Sequence, residues 1–347
     1  MRGLRIPILI VIIFSFTLGI FWGLRIQRAR LAAEGRIQPG TVLRVLTLPR
    51  VFPAQLIKTF QESESTRLEL TVASSPEELW SKLEGGNFDV VTLFSDQATA
   101  AAQGEFLEPL SLEQVPALRH INADFEPASK DPAGGHVAPV LWGVTGLVYN
   151  SSALSTEPAS WAEILSSPKL RGQIVLERWS ASLAPVLGAL MPNATAEEEH
   201  NWRKLIATLK ASGSIEKEFH AKSLEDEESS RALVIQTDHS ALASAAPHWR
   251  FVLPEEGASF WTLSLAIPKS ALHPHEATKL IEFMLSKDSG SALVAEARAA
   301  TTLSVLEASE LHFSLKPSYL RSFPLTRLRP ISGALEMNEA RAIHDAL

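Results

Sequence analysis

Five places in the 347-residue chain set aromatic or charged side chains at or beside apolar runs. Loops at strand ends are where α/β proteins meet small ligands. The places are Asp96 in LFSDQA, Arg178 and Trp179 after QIVL, Asp238 after ALVIQT, Trp261 and Thr262 in GASFWTLSLAIPKSA, and Trp142 in LWGVTGLVYN. Tryptophan faces attract cations, carboxylates pair with ammonium groups, and a guanidinium holds an anion. These residue types suit binding better than turnover. No G-x-S-x-G elbow, phosphate-binding G-x-x-x-x-G-K-[ST] or post-strand GxGxxG occurs, and none of the ten histidines stands in HExxH. Each candidate also has a plainer reading. Trp261 suits a core or hinge, Trp142 packing in a crossing segment, Arg178 a pair with Glu177, and Asp96 a helix cap.

Composition narrows the classes further. With 46% hydrophobic residues and this length, two lobes of ordinary domain size can each hold a core. There is no cysteine, which excludes disulfides, thiolate metal sites, a cysteine nucleophile and a lipid-modified cysteine. Net charge is −7, and the five arginines of residues 1–30, with no acid among them, leave the rest of the chain at −12. An acidic body of this kind argues against nucleic acid and against an anionic membrane surface as partners.

Residues 6–24, IPILIVIIFSFTLGIFWGL, are uncharged and long enough at helical rise to match a bilayer core. They read as one N-terminal transmembrane helix, with a cleaved signal peptide as the alternative. The run ends at Trp22 and is followed by Arg25, Arg28 and Arg30 rather than an A-x-A site, which favours an uncleaved anchor over residues 1–30. Those three arginines by themselves favour a cytoplasmic body.

A linker over 31–41 precedes a β-α-β alternation. LRVLTL (43–48), LELTVA (68–73) and FDVVTLF (88–94) read as strands, with a helix from Pro53 presenting Leu56, Ile57 and Phe60. SPEELWSKLEGG predicts a capping box from Ser75 to Glu78 with Pro76 in the first turn and Gly85 as a stop, and SWAEIL predicts another from Ser160 to Glu163. Further on come strands at 173–178, 232–237 and 250–254, and helices from Thr195 and over 276–287. Such alternation predicts mainly parallel sheets covered by helices.

In order and spacing, LRVLTLPRVFP, FDVVTLFSDQATAAAQGEFLEPL, APVLWGVTGLVYN, PASWAEILSSPKLRGQIVL and FVLPEEGASFWTLSLAIP resemble the periplasmic solute-binding proteins of ABC importers, most closely the spermidine/putrescine-binding branch. The resemblance implies a type II-like two-lobed fold. It places lobe 1 over 42–140 plus about 262–307 and lobe 2 over 141–261 plus about 308–347, with a small ligand held between them. It implies a periplasmic body and an ABC permease as partner; from the motifs that are missing, no cofactor, no metal and no catalysis are expected, and the chain is expected to be a monomer. A ferric site of paired tyrosines is not supported, because Tyr149 and Tyr319 are the only tyrosines.

Within that likeness the family's aromatic is kept at Trp261, while its amine-binding aspartate falls at Leu263 or Thr262, and Arg178 and Trp179 stand where the family has an acidic pair. The implied ligand contacts are Trp261, Trp179, Arg178, Asp96, Asp238, Thr262 and Trp142. A polyamine is one expectation, with Asp96, Glu177 and Asp238 replacing the lost acids; an anion at Arg178 is another. A membrane-tethered sensor or interaction module that no longer delivers solute is the alternative function.

Overall fold

The computed structural model describes residues 41–125, 135–170, 173–175, 224, 234–255 and 257–330. The apolar run 6–24, Arg178, Trp179, the helix expected from Thr195 and the acidic run 225–230 lie outside the described residues. Among the described residues, no helix is long and apolar enough to cross a membrane.

The first three strands follow the predicted alternation. Strand β1 (Val42–Thr47) lies between β2 (Arg67–Val72) and β3 (Val90–Phe94), parallel to both. Leu43, Val45, Leu46, Val90, Val91 and Leu93 are buried, as expected of strands covered on both faces. The connecting helices are α1 (Ala54–Glu64), α2 (Pro76–Gly85) and, after β3, α3 (Ser95–Gln103). Helix α1 buries Leu56 and Phe60 and ends where Ser65 turns left-handed at φ 52°.

The predicted caps form with a small shift. Ser75 Oγ accepts from the Glu78 N–H at 3.2 Å, but the Glu78 carboxylate reaches back to the Ser74 N–H at 2.7 Å rather than to Ser75. Bonds from Ser74 and the nearby Lys82 hold Glu78 down to about 2. Helix α4 (Trp161–Ser166) repeats the arrangement: Ser160 Oγ accepts from Glu163 N at 3.0 Å, and Glu163 accepts from Ala159 N at 3.1 Å. Helix α2 runs through Gly85 and is capped at Gly86.

Beyond β3 the parallel expectation fails. Strand β4 (Val137–Asn150) is 14 residues long and pairs antiparallel with β6 (Val234–Asp238), β7 (Trp249–Val252), β8 (Ala258–Ala266) and β9 (Ala300–Thr301). Strand β8 in turn runs antiparallel to β3, while β5 (Ile174–Val175) and β10 (Leu328–Pro330) pair parallel with β6 and β8. The sheet is therefore mixed, in the order β2-β1-β3-β8-β4-β6-β5. Two long apolar strands carry it from the first β-α-β units to the later strands.

Helix α5 (Pro274–Met284) is the helix expected over 276–287, ending three residues sooner, and a second helix, α6 (Lys287–Ala297), follows it. The predicted apolar face is nevertheless correct: Leu280, Ile281, Met284 and Leu285 are all buried in the core with β1, β3 and α1.

Asp89 fastens α5 to the sheet. It is 2% exposed, and its carboxylate accepts from the N–H groups of Arg44 (2.8 Å), Leu272 (2.9 Å) and His273 (2.9 Å). Asp89→Ala leaves three backbone donors without their acceptor and is expected to cost about 3 kcal/mol in denaturant unfolding. A loss under about 1 kcal/mol would contradict this role. A cavity of about 300 Å³ beside it, lined by Val42, Arg44, Glu69, Asp89, Leu272 and His273, opens at the amino end of β1. Its buried acid is already satisfied by those three backbone donors.

Candidate functional site

Strand register decides which side chains share a face. Phe94 pairs with Leu263 across β3 and β8, Gly143 with Trp261 across β8 and β4, and Thr145 with both Ser259 and Asp238. Because side chains alternate along a strand, Phe94, Leu263, Trp261, Gly143 and Asp238 all stand on one face. Trp142 pairs with Thr262 on the other.

On the first face the side chains form a row. The rings of Phe94 and Trp261 meet edge to face, centroids 5.5 Å apart at 82°, a favoured arrangement for aromatic pairs. Trp261 is 9% exposed and packs on the core through its inner side. A Cβ on Gly143 would lie 2.0 Å from Asp238 Oδ2 and 2.3 Å from Trp261 Cζ2. The carboxylate and the indole thus converge over the bare backbone of Gly143, a use of strand glycine that permits close approach.

Asp238 has two different oxygens. Oδ1 caps the short 3-10 helix His239–Ala243 by accepting from Ser240 N at 2.9 Å. Oδ2 is buried and has no hydrogen-bond partner. An unsatisfied buried acceptor costs about 1–3 kcal/mol, and any N–H that reaches Oδ2 would supply the missing donor.

Asp96 follows two residues after Phe94 in the chain. Helix α3 starts directly off β3, so Asp96 is the second helical residue and not the expected cap; Phe94 takes the cap position, and its N–H donates to Gln97 Oε1 at 3.3 Å. Asp96 Oδ1 and the neighbouring Ser95 Oγ are buried without hydrogen-bond partners. Burial pushes the Asp96 carboxyl up from the ordinary 3.8 to about 6, with backbone N–H bonds from Gln97 and Asp96 opposing and the charge of Glu77 adding to the rise.

A raised carboxyl has a definite sign in stability. The folded chain holds the Asp96 proton more tightly, so this contribution is complete below pH 3.8 and is lost as pH rises through 6. Asp96→Asn is therefore expected to stabilise the protein by about 2–3 kcal/mol at pH 7.5 and by little near pH 4. Urea unfolding at the two pH values checks this, and an equal effect at both would contradict it.

Of the seven sequence-predicted contacts, the structure brings Trp261 and Asp238 together over Gly143 and sets Asp96 in the first turn of the helix that follows Phe94. Arg178 and Trp179 lie outside the described residues. Trp142 and Thr262 are fully buried on the opposite face, where Trp142 stacks on His239 at 4.4 Å and packs against Phe125. Their placement follows from strand alternation, since a residue adjacent to Trp261 must point away from it. Leu263, one of the two positions the resemblance offers for the family's aspartate, pairs with Phe94 and is buried, as is the other, Thr262. Sequence reading missed Phe94, which looks like the end of a core strand, and Gly143, whose signal was a glycine inside an apolar run.

The matched region of known proteins spans these same strands. The profile of the family described as bacterial extracellular solute-binding protein matches residues 88–320. The chain is 21% identical over 253 residues to the putrescine/agmatine-binding protein of Pseudomonas aeruginosa, covering 66% of this chain and 69% of that one. It is 22% identical over 245 residues to the spermidine/putrescine-binding periplasmic protein of Escherichia coli K12, covering 68% and 70%. The solved structure of a putative spermidine/putrescine ABC transporter from Listeria monocytogenes superposes with a TM-score of 0.71 at 20% identity, over 88% of this chain and 98% of that one. With two-thirds of its length inside the matched region, and with the mixed sheet of that fold, the chain belongs to the bacterial extracellular solute-binding protein family.

Proposed function

We propose that this chain is the solute receptor of an ABC import system and that it captures an organic di- or polyamine outside the cytoplasmic membrane. The observation that carries the reading is the unpartnered Asp238 Oδ2 beside Trp261. An acid at one end, an indole and a phenyl ring in the middle, and a second acid at the other end suit a ligand with charged ends and an apolar stem. Ammonium groups meet the carboxylates, and methylenes lie on the rings. An anion finds no such welcome between Asp96 and Asp238, whatever Arg178 contributes.

Two lobes with boundaries near 140/141 and 261/262 would place the row at their junction, since those boundaries fall within β4 and β8. Ligand contacts from both sides would stabilise the closed form, and a permease would read that surface. In this reading the protein acts as a monomer, and the apolar run 6–24 serves as its membrane anchor, with a cleaved signal peptide as the alternative. A tethered module without solute delivery has no observation of its own in its favour, whereas the unpartnered Asp238 Oδ2 beside Trp261 favours binding.

Thermal unfolding with a panel of amines and anions tests the class. At about 100 times its dissociation constant a ligand adds roughly 2.7 kcal/mol, enough to raise the midpoint by a few degrees. Putrescine or spermidine is expected to give that rise and phosphate or a sugar phosphate none; the reverse pattern would overturn the reading. Contact between an ammonium group and Asp96 adds a pH dependence. Since the free carboxyl titrates at about 6, affinity is expected to fall by up to about tenfold per pH unit below 6, and Asp96→Asn to flatten that slope.

A further inference from the structure

His239 follows Asp238 directly and points to the opposite face of the sheet, where it is fully buried. Its ring lies between Trp142, stacked at 4.4 Å and 28°, and Tyr319, at 5.4 Å and 31°, with Phe251 and Phe323 presenting edges at 6.2 and 5.6 Å. Both ring nitrogens are engaged by backbone. Val144 N–H donates to Nδ1 at 3.0 Å, and Nε2 lies 3.0 Å from the Ser314 carbonyl, to which it donates. An acceptor at Nδ1 and a donor at Nε2 fix one neutral tautomer.

That tautomer has a consequence for Asp238. Nδ1 stands 3.5 Å from Asp238 Oδ1, but with its lone pair committed to Val144 N–H it offers the carboxylate no proton. This contact is not an ion pair. The ring holds the strand end from behind, and the donor that Asp238 does receive, Ser240 N–H, goes to Oδ1. Oδ2 is left over Gly143 without a partner. The same ring ties the middle of β4 to the segment Phe313–Leu315, so the anchor behind Asp238 joins parts of the chain far apart in sequence.

We propose that His239 is a positioning residue for ligand recognition: caged by four aromatic rings and bonded to Val144 and Ser314, it orients Asp238 so that one carboxylate oxygen faces the ligand while the histidine itself supplies no neutralising proton. The proposal rests on the reading of Asp238 as a ligand contact. It assigns to a core residue a part in affinity that packing alone would not give it.

A double-mutant cycle on the full-length chain tests this, with spermidine as probe and calorimetric dissociation constants as readout. His239→Phe keeps an aromatic ring in the cage and loses both nitrogen contacts. It is expected to weaken spermidine at least tenfold, yet by less than twofold when Asp238→Asn is already present. His239→Asn, whose amide oxygen can take the Val144 N–H, is expected to recover most of the loss, and His239→Leu, which loses both nitrogen contacts, closes the same cycle should His239→Phe fail to fold. Unchanged affinity in a folded His239→Phe or His239→Leu variant overturns the proposal, as does a loss that adds in full to that of Asp238→Asn. If Asp238→Asn alone leaves spermidine binding intact, the reading of Asp238 as a ligand contact falls and the positioning role falls with it.

Discussion

Asp238→Asn is expected to weaken spermidine or putrescine by about 30-fold or more while leaving the fold in place. The asparagine oxygen can still accept from Ser240 N–H, as Oδ1 now does at 2.9 Å, and asparagine caps helices about as well as aspartate. What is lost is the charge at Oδ2, buried between Gly143 and Trp261. Removing one partner of a desolvated charge pair costs about 2–5 kcal/mol, so the change falls on affinity and not on unfolding. Calorimetric titration beside a thermal melt separates the two. A variant that melts like the parent and binds like it would remove Asp238 from the site.

Gly143→Ala is expected to damage binding and stability together. The added Cβ would sit 2.0 Å from Asp238 Oδ2 and 2.3 Å from the Trp261 ring, contacts that no real methyl group tolerates. Strand β4 cannot move aside, because at this point it is hydrogen-bonded to β8 on one edge and enters its pairing with β6 on the other. The indole and carboxylate must therefore separate. Overpacking of this kind costs about 1–3 kcal/mol, and loss of the paired geometry is expected to weaken amine binding more than tenfold. Parent-like affinity in this variant would mean that the approach of Asp238 to Trp261 over residue 143 does not matter for binding.

The local parts of the fold were legible in the sequence because local physics sets them. Ser75 and Ser160 announce helix starts, and the spacing of Leu280, Ile281 and Met284 announces a buried face, each confirmed by the hydrogen bonds and burial found. Strand direction was not legible. VAPVLWGVTGLVYN and ASFWTLSLA are apolar enough for buried strands of either sense, and only their long-range pairing makes the sheet mixed. The site was readable where a charge stands at a strand end, as with Asp238, and obscure where the decision lay in parity. Trp142, Thr262 and Trp261 look equally available in sequence; register puts the first two in the core and the third beside Gly143. Asp96 was expected as a cap because such residues favour that role, but α3 begins without a loop and moves it into the first turn.

The central claim is that the row from Asp96 through Phe94 and Trp261 to Asp238 receives an amine. Calorimetric titration of spermidine into the full-length chain at pH 7.5, with tryptophan emission followed on the same samples, tests it most directly. The account predicts saturable binding of one spermidine per chain, accompanied by a change in emission as the ligand covers Trp261. Absence of both heat and emission change up to millimolar spermidine and putrescine, in a chain shown to be folded, would contradict it.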